Sequence, residues 1–167
     1  MSYLVRKISR GKLPEKCCKI EELKSDAIAD LRSTKNTLSF WLIETLEELD
    51  NAILAISTGE KKSDIETTVV ICLEETVLKS KFDIECSEGD TSIENLKSTH
   101  RDLANLTYKS LGDLATLILE SLENEAICKR YSKSEVAKVL VAAYKDKRLD
   151  KTCNKDLLEQ VLKRLEK

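Results

Sequence analysis

The sequence predicts an α+β fold, with a small mixed sheet of about four to five strands in the N-terminal half and a helix-rich C-terminal half packed on it. Three observations lead there. Two segments, Thr37–Ile43 and Thr67–Leu73, are apolar on both faces of an extended chain, as central strands covered on both sides must be. From Thr91 onward the apolar period changes to that of helices. Glycine (four) and proline (one) are scarce, which disfavours a many-turned all-β design. A length of 167 residues suits a single domain over 1–167, strand-rich over 1–90 and helical over 91–167. Aromatic residues are only 4% of the chain, so the core must rest on Leu, Ile, Val and Ala.

Taken in order, Tyr3–Ile8 alternates and carries β-branched residues, reading as a first strand that ends before Gly11 and Pro14. Ala27–Arg32 and Thr37–Ile43 flank Ser33-Thr34-Lys35-Asn36, a turn sequence in which Asn tolerates positive φ, so a hairpin is expected. In its second strand Leu38, Phe40 and Leu42 share one face, Trp41 and Ile43 the other. Thr45 with Glu48 has capping-box form. Leu46, Leu49, Ile53 and Ile56 then follow at helical spacing up to Gly59. Glu60–Ser63 is a charged loop, and Thr67–Leu73 is the second central strand. Strand, helix and strand make a crossover, right-handed if the strands are parallel. Glu74–Lys81 reads as a short helical turn and Phe82–Cys86 as a further strand.

Thr91 with Glu94 reads as another capping box. Thr99 with Asp102 reads as the start of a long helix, striped by Leu103, Leu106, Leu111, Leu114, Leu117, Ile118 and Leu122. Gly112 weakens that helix by about 1 kcal/mol relative to Ala. Ser132 and Glu135 cap a helix whose apolar face is Val136, Val139, Leu140 and Ala143. Asn154 caps a last helix carrying Leu157, Leu158, Val161, Leu162 and Leu165. Phe40, Trp41, Leu42, Val69, Val70, Ile71 and Leu73 are expected to be largely buried.

The formal net charge of −2 conceals a polarity. Residues 1–16 carry +4, residues 25–125 carry −12 and residues 126–167 carry +6. Such asymmetry marks either a surface for an acidic partner or basic ends lying against an acidic body. No run of eighteen apolar residues exists, so no membrane partner is expected. The first residues lack a secretory signal, which makes the expected compartment cytoplasmic. Six cysteines (Cys17, Cys18, Cys72, Cys86, Cys128 and Cys153) with no C-x-x-C pair then read as reduced structural thiols.

Chemistry is sparse. None of Gly11, Gly59, Gly89 and Gly112 has another glycine within ten positions, so neither a P-loop nor a dinucleotide fingerprint can be assembled. Cofactor, metal site and catalytic residue are all expected to be absent. Cys86, His100 and Asp102 supply the residue types of a thiol triad, but spacing alone does not bring them together. Glu74, Glu75, Asp83, Glu85, Glu88 and Asp90 could gather at one sheet end as a metal-dependent hydrolase or nuclease site near Glu85. No lysine follows Asp83-Ile84-Glu85 as nuclease chemistry wants. The basic C-terminal helices offer a second alternative, nucleic-acid binding through phosphate contacts.

The leading expectation is a non-catalytic protein-binding module, of immunity, antitoxin-like or accessory-subunit type. Val141 and Ala142 lie off the core stripe of the Glu135–Lys145 helix, with Tyr144 at its edge. The expected docking face is therefore Val141 and Tyr144, rimmed by Lys138, Lys145, Lys147 and Arg148. Burial of Val141 under the last helix is the competing expectation.

Overall fold

The computed structural model describes residues 1–9, 27, 31, 34–59, 65–149 and 153–165. Among these, six strands form one sheet: β1 (Tyr3–Ile8), β2 (Leu38–Ile43), β3 (Thr68–Glu74), β4 (Asp83–Cys86), β5 (His100–Ala104) and β6 (Cys128–Tyr131). The helices are α1 (Leu49–Ser57), α2 (Glu75–Lys79), α3 (Glu94–Lys97), α4 (Tyr108–Ser121), α5 (Lys133–Lys145) and α6 (Lys155–Leu165). The fold is α+β. The strand order is β4-β5-β2-β1-β3-β6, and every hydrogen-bonded pair is antiparallel. The expected mixed sheet of four to five strands is thus corrected to six antiparallel ones. The expected crossover is present, since β2 and β3 both oppose β1 and so run parallel to each other. Because β1 lies between them, they never pair.

Alternation along the strands sends two apolar sets to opposite faces. Val5, Trp41, Ile43, Val70 and Cys72 pack against α1, α5 and α6 through Leu49, Ile53, Val136, Leu140, Leu157 and Val161. Leu4, Phe40, Ile71, Leu73 and Leu103 pack against Leu78 of α2 and Leu114 and Ile118 of α4. Helices therefore cover both faces, and two of them, α1 and α2, come from the N-terminal half. Each fully buried aliphatic side chain contributes roughly 1.5–3 kcal/mol. Phe40, Trp41, Val70, Ile71 and Leu73 are buried. Leu42 and Val69 are only half-buried, because each packs at the border of its cluster rather than within it.

Several local expectations are corrected. The segment expected to form a long helix from Thr99 is strand β5, and the helix starts only at Tyr108. There Thr107 and Ser110 form the reciprocal cap, after a break at Asn105 with φ 54°. β6, a segment to which the sequence assigns no element, is a strand on the sheet's edge. The Thr45 side chain caps nothing. Instead the Glu48 carboxylate accepts from the Glu44 N–H at 2.9 Å, and a 3-10 turn over Leu46–Glu48 leads into α1. Thr91 does not cap α3; its hydroxyl is buried and bonded to that of Thr58 at 2.7 Å. The turn before β2 forms as expected, with Lys35 and Asn36 both at positive φ and Thr34 bridging Thr37. Of the strand expected to precede it only Ala27 and Leu31 are described, both in 3-10 conformation rather than extended, which corrects the strand at those two residues, and β2's sheet neighbours are β1 and β5. Ser132 with Glu135, and Asn154, cap α5 and α6 as the sequence indicates.

Candidate functional site

The β4–β5 pairing decides which polar groups meet. Cys86 stands opposite Arg101 and Glu85 opposite Asp102. His100 and Asp102 share the other face of β5, so Cys86 points away from both. The thiol triad is therefore not assembled. Its place is taken by Ser87, whose hydroxyl donates to Asp102 Oδ2 at 2.6 Å and lies 2.7 Å from His100 Nδ1. A hydroxyl has one proton to give, and an ionised carboxylate only accepts. The Nδ1 proton of His100 therefore donates to Ser87 Oγ. Asp102 also accepts from Ser39 at 2.9 Å. In a nucleophilic triad the imidazole stands between hydroxyl and carboxylate. Here the hydroxyl is in the middle and its proton is committed to Asp102.

This network ties the chain after β4 to the sheet. Trp41 meets the His100 ring edge-on, with centroids 5.0 Å apart, and Gly89 lies against both. A Cβ on Gly89 would stand 2.3 Å from the Trp41 ring and 2.9 Å from His100 Cβ. Burial holds the His100 imidazole below its ordinary pKa; Asp102 and Asp90 oppose this, while Arg101 adds to it.

The six carboxylates do not gather. Glu75 is engaged by Ser2 at 2.7 Å and Lys79 at 2.9 Å, beside β3 and β1. Asp83 and Glu85 lie on edge strand β4, with β5, β2 and β1 between them and β3. Asp83 accepts from Asn105 at 3.0 Å. No group of three or more potential metal ligands occurs among the described residues. Cys72, Cys86, Cys128 and Cys153 are free thiols; Cys17 and Cys18 lie outside the described residues. Burial pushes the Cys72 thiol up to about 12.

The α5–α6 face carries the other candidate. One groove of about 620 Å³ is lined by Tyr144, Lys145, Lys147, Leu149, Leu158, Leu162 and Leu165. A second, of about 390 Å³, is lined by Ser134, Ala137, Lys138, Val141, Ala142, Lys145 and Arg164. Both are shallow and open, and Lys145 borders both. Val141 and Tyr144 are half-buried, whereas Lys138, Lys145, Lys147 and Arg164 are exposed. None of these four cations forms an ion pair with a described residue. Arg148 is the exception in the expected set. It donates to Asn51 Oδ1 of α1 at 3.0 Å, and its Nε is buried without a partner among the described residues. It therefore ties the turn after α5 to α1 and lines neither groove. Missing from the expected set are Leu158, Leu162, Leu165 and Arg164. On α6 only Leu157 and Val161 are fully inside, and Leu162 is 41% exposed.

No protein-family model, curated protein sequence or solved structure matches this chain. No helix among the described residues is long and apolar enough to cross a membrane.

Proposed function

We propose that the chain is a non-catalytic cytoplasmic protein-binding module, of the immunity, antitoxin-like or accessory-subunit kind, which docks an acidic partner on the α5–α6 face. One observation carries the reading: two adjoining open grooves with apolar floors, rimmed by exposed cations that have no ion-pair partner among the described residues. Apolar floor inside a charged rim is the anatomy of a protein interface. Complementary charge at the rim speeds encounter and selects the partner. The dispersed carboxylates and the committed Ser87 proton leave the catalytic alternatives without comparable support.

Val141→Asp tests the reading. Val141 lies on a groove floor at partial burial, so the variant is expected to keep its fold. Immobilised wild-type chain in a lysate of its own source should retain a protein that the variant releases, at unchanged circular dichroism. Retention of the same proteins by both would refute the docking face. Binding to nucleic acid that Lys145→Glu abolishes and Val141→Asp leaves intact would establish the phosphate-contact alternative instead.

A further inference from the structure

Taking α5–α6 as the docking face proposed above, we infer that its occupant is an acidic amphipathic helix, which lies along the grooves as a third helix of that layer. Leu158, Leu162 and Leu165 recur at i, i+4 and i+7 along α6, a spacing that marks one continuous face of a helix. The neighbouring ridge of α5 presents half-buried Val141 and exposed Ala142. Two helices side by side with apolar ridges turned outward form a groove that accepts the apolar stripe of another helix, read as i, i+3, i+4 and i+7 anchors. The charge pattern sets the sign. Lys138 and Arg164 flank one groove, Lys147 flanks the other and Lys145 borders both, while among the described residues no carboxylate lines either one. A helix bearing Glu or Asp on both sides of its leucine stripe would give these cations partners along its whole length. A basic or neutral helix would leave them uncompensated beside a desolvated floor.

The test uses the full chain, isotopically labelled, and synthetic helical peptides of about 18 residues, or five turns. One peptide carries a leucine stripe flanked by Glu, a second has Gln in place of Glu, a third has Lys, and a fourth scrambles the first. The Glu peptide should shift amide resonances of Val141, Tyr144, Leu158 and Leu162. It should bind at least about 10-fold tighter than the Gln or scrambled peptides, a gap that closes as salt is raised. Lys145→Glu should weaken the Glu peptide and strengthen the Lys peptide. Equal binding of the Glu and Gln peptides at these residues would overturn the acidic requirement while leaving the docking face standing. Shifts elsewhere, or none with any peptide, would overturn the helix itself, and Val141→Asp capture then judges the face separately. Self-association in sedimentation that Val141→Asp abolishes would make a second copy of the chain the occupant and would also overturn the inference.

Discussion

One substitution, Gly→Ala, should have opposite signs at two positions of this chain. At Gly89 the new methyl would stand 2.3 and 2.6 Å from two ring carbons of Trp41, well inside the 3.4 Å where ordinary contact begins. The ring cannot easily retreat, being only 8% exposed and held edge-on by His100. Overpacking of this kind costs about 1–3 kcal/mol. If the loop lifts instead, it surrenders the bonds from Gly89 N–H to Lys97 and from Thr91 N–H to Gly89, both 3.0 Å, at about 0.5–1.5 kcal/mol each. By either route Gly89→Ala should therefore destabilise the chain by about 1–3 kcal/mol. At Gly112, inside α4, a Cβ meets nothing within 4 Å. There Ala should stabilise by about 0.8–1 kcal/mol through helix propensity. Trp41 is the only tryptophan, so urea melts followed by its fluorescence report both variants, and native Gly89→Ala should emit further to the red. Two results would refute the reasoning: Gly89→Ala within about 0.5 kcal/mol of wild type with unchanged emission, or equal losses at both glycines.

Ile71→Ala, at a fully buried central position, should cost about 2–5 kcal/mol in denaturant melts, and Leu42→Ala, half-buried, clearly less. Folding holds the His100 pKa below its unfolded value near 6.5, so its neutral form favours the native state. That contribution is complete above pH ~6.5 and is lost as pH falls from there through the folded pKa. A His100→Gln variant should therefore lose less stability than wild type between pH 7 and 5, and parallel stability curves would contradict this. A disulfide reagent at pH 8 should modify exposed Cys86 promptly and buried Cys72 only on unfolding, as thiol counting with peptide mapping can check.

The central strands β2 and β3 were legible because Phe40, Trp41, Val70 and Ile71 leave no polar face to misread. The α5 and α6 caps were legible because Ser132, Glu135 and Asn154 act within a single turn. β5 was not. Its His100-Arg101-Asp102 opening lacks an apolar alternation, and Thr99 with Asp102 imitates a helix start. Those polar residues tolerate a strand because His100 and Asp102 find Ser87, a partner fixed by register and invisible to spacing. A shift of one residue in that register would have brought Cys86 to His100 instead. β6 escaped notice because Cys128-Lys129-Arg130-Tyr131 carries the charge that guards an edge rather than the apolar pattern that announces a strand. On α6, five leucines and valines read as one core stripe, and only packing divides them into an inner pair and an outer row.

The position of β1 has a consequence for the order in which the chain can fold. Its residues come early in the sequence yet occupy the interior of the sheet, with Tyr3 opposite Ile43 on one side and Glu74 on the other. Neither partner is near in sequence, so both pairings close long loops before any contact repays the lost chain entropy. The helices and the β4–β5 pair can form locally, whereas the two halves of the sheet are joined only through β1. The rate-limiting event in refolding should then be insertion of this strand between β2 and β3. Val5→Ala should accordingly slow folding more than an equally destabilising change in α4, while speeding unfolding less.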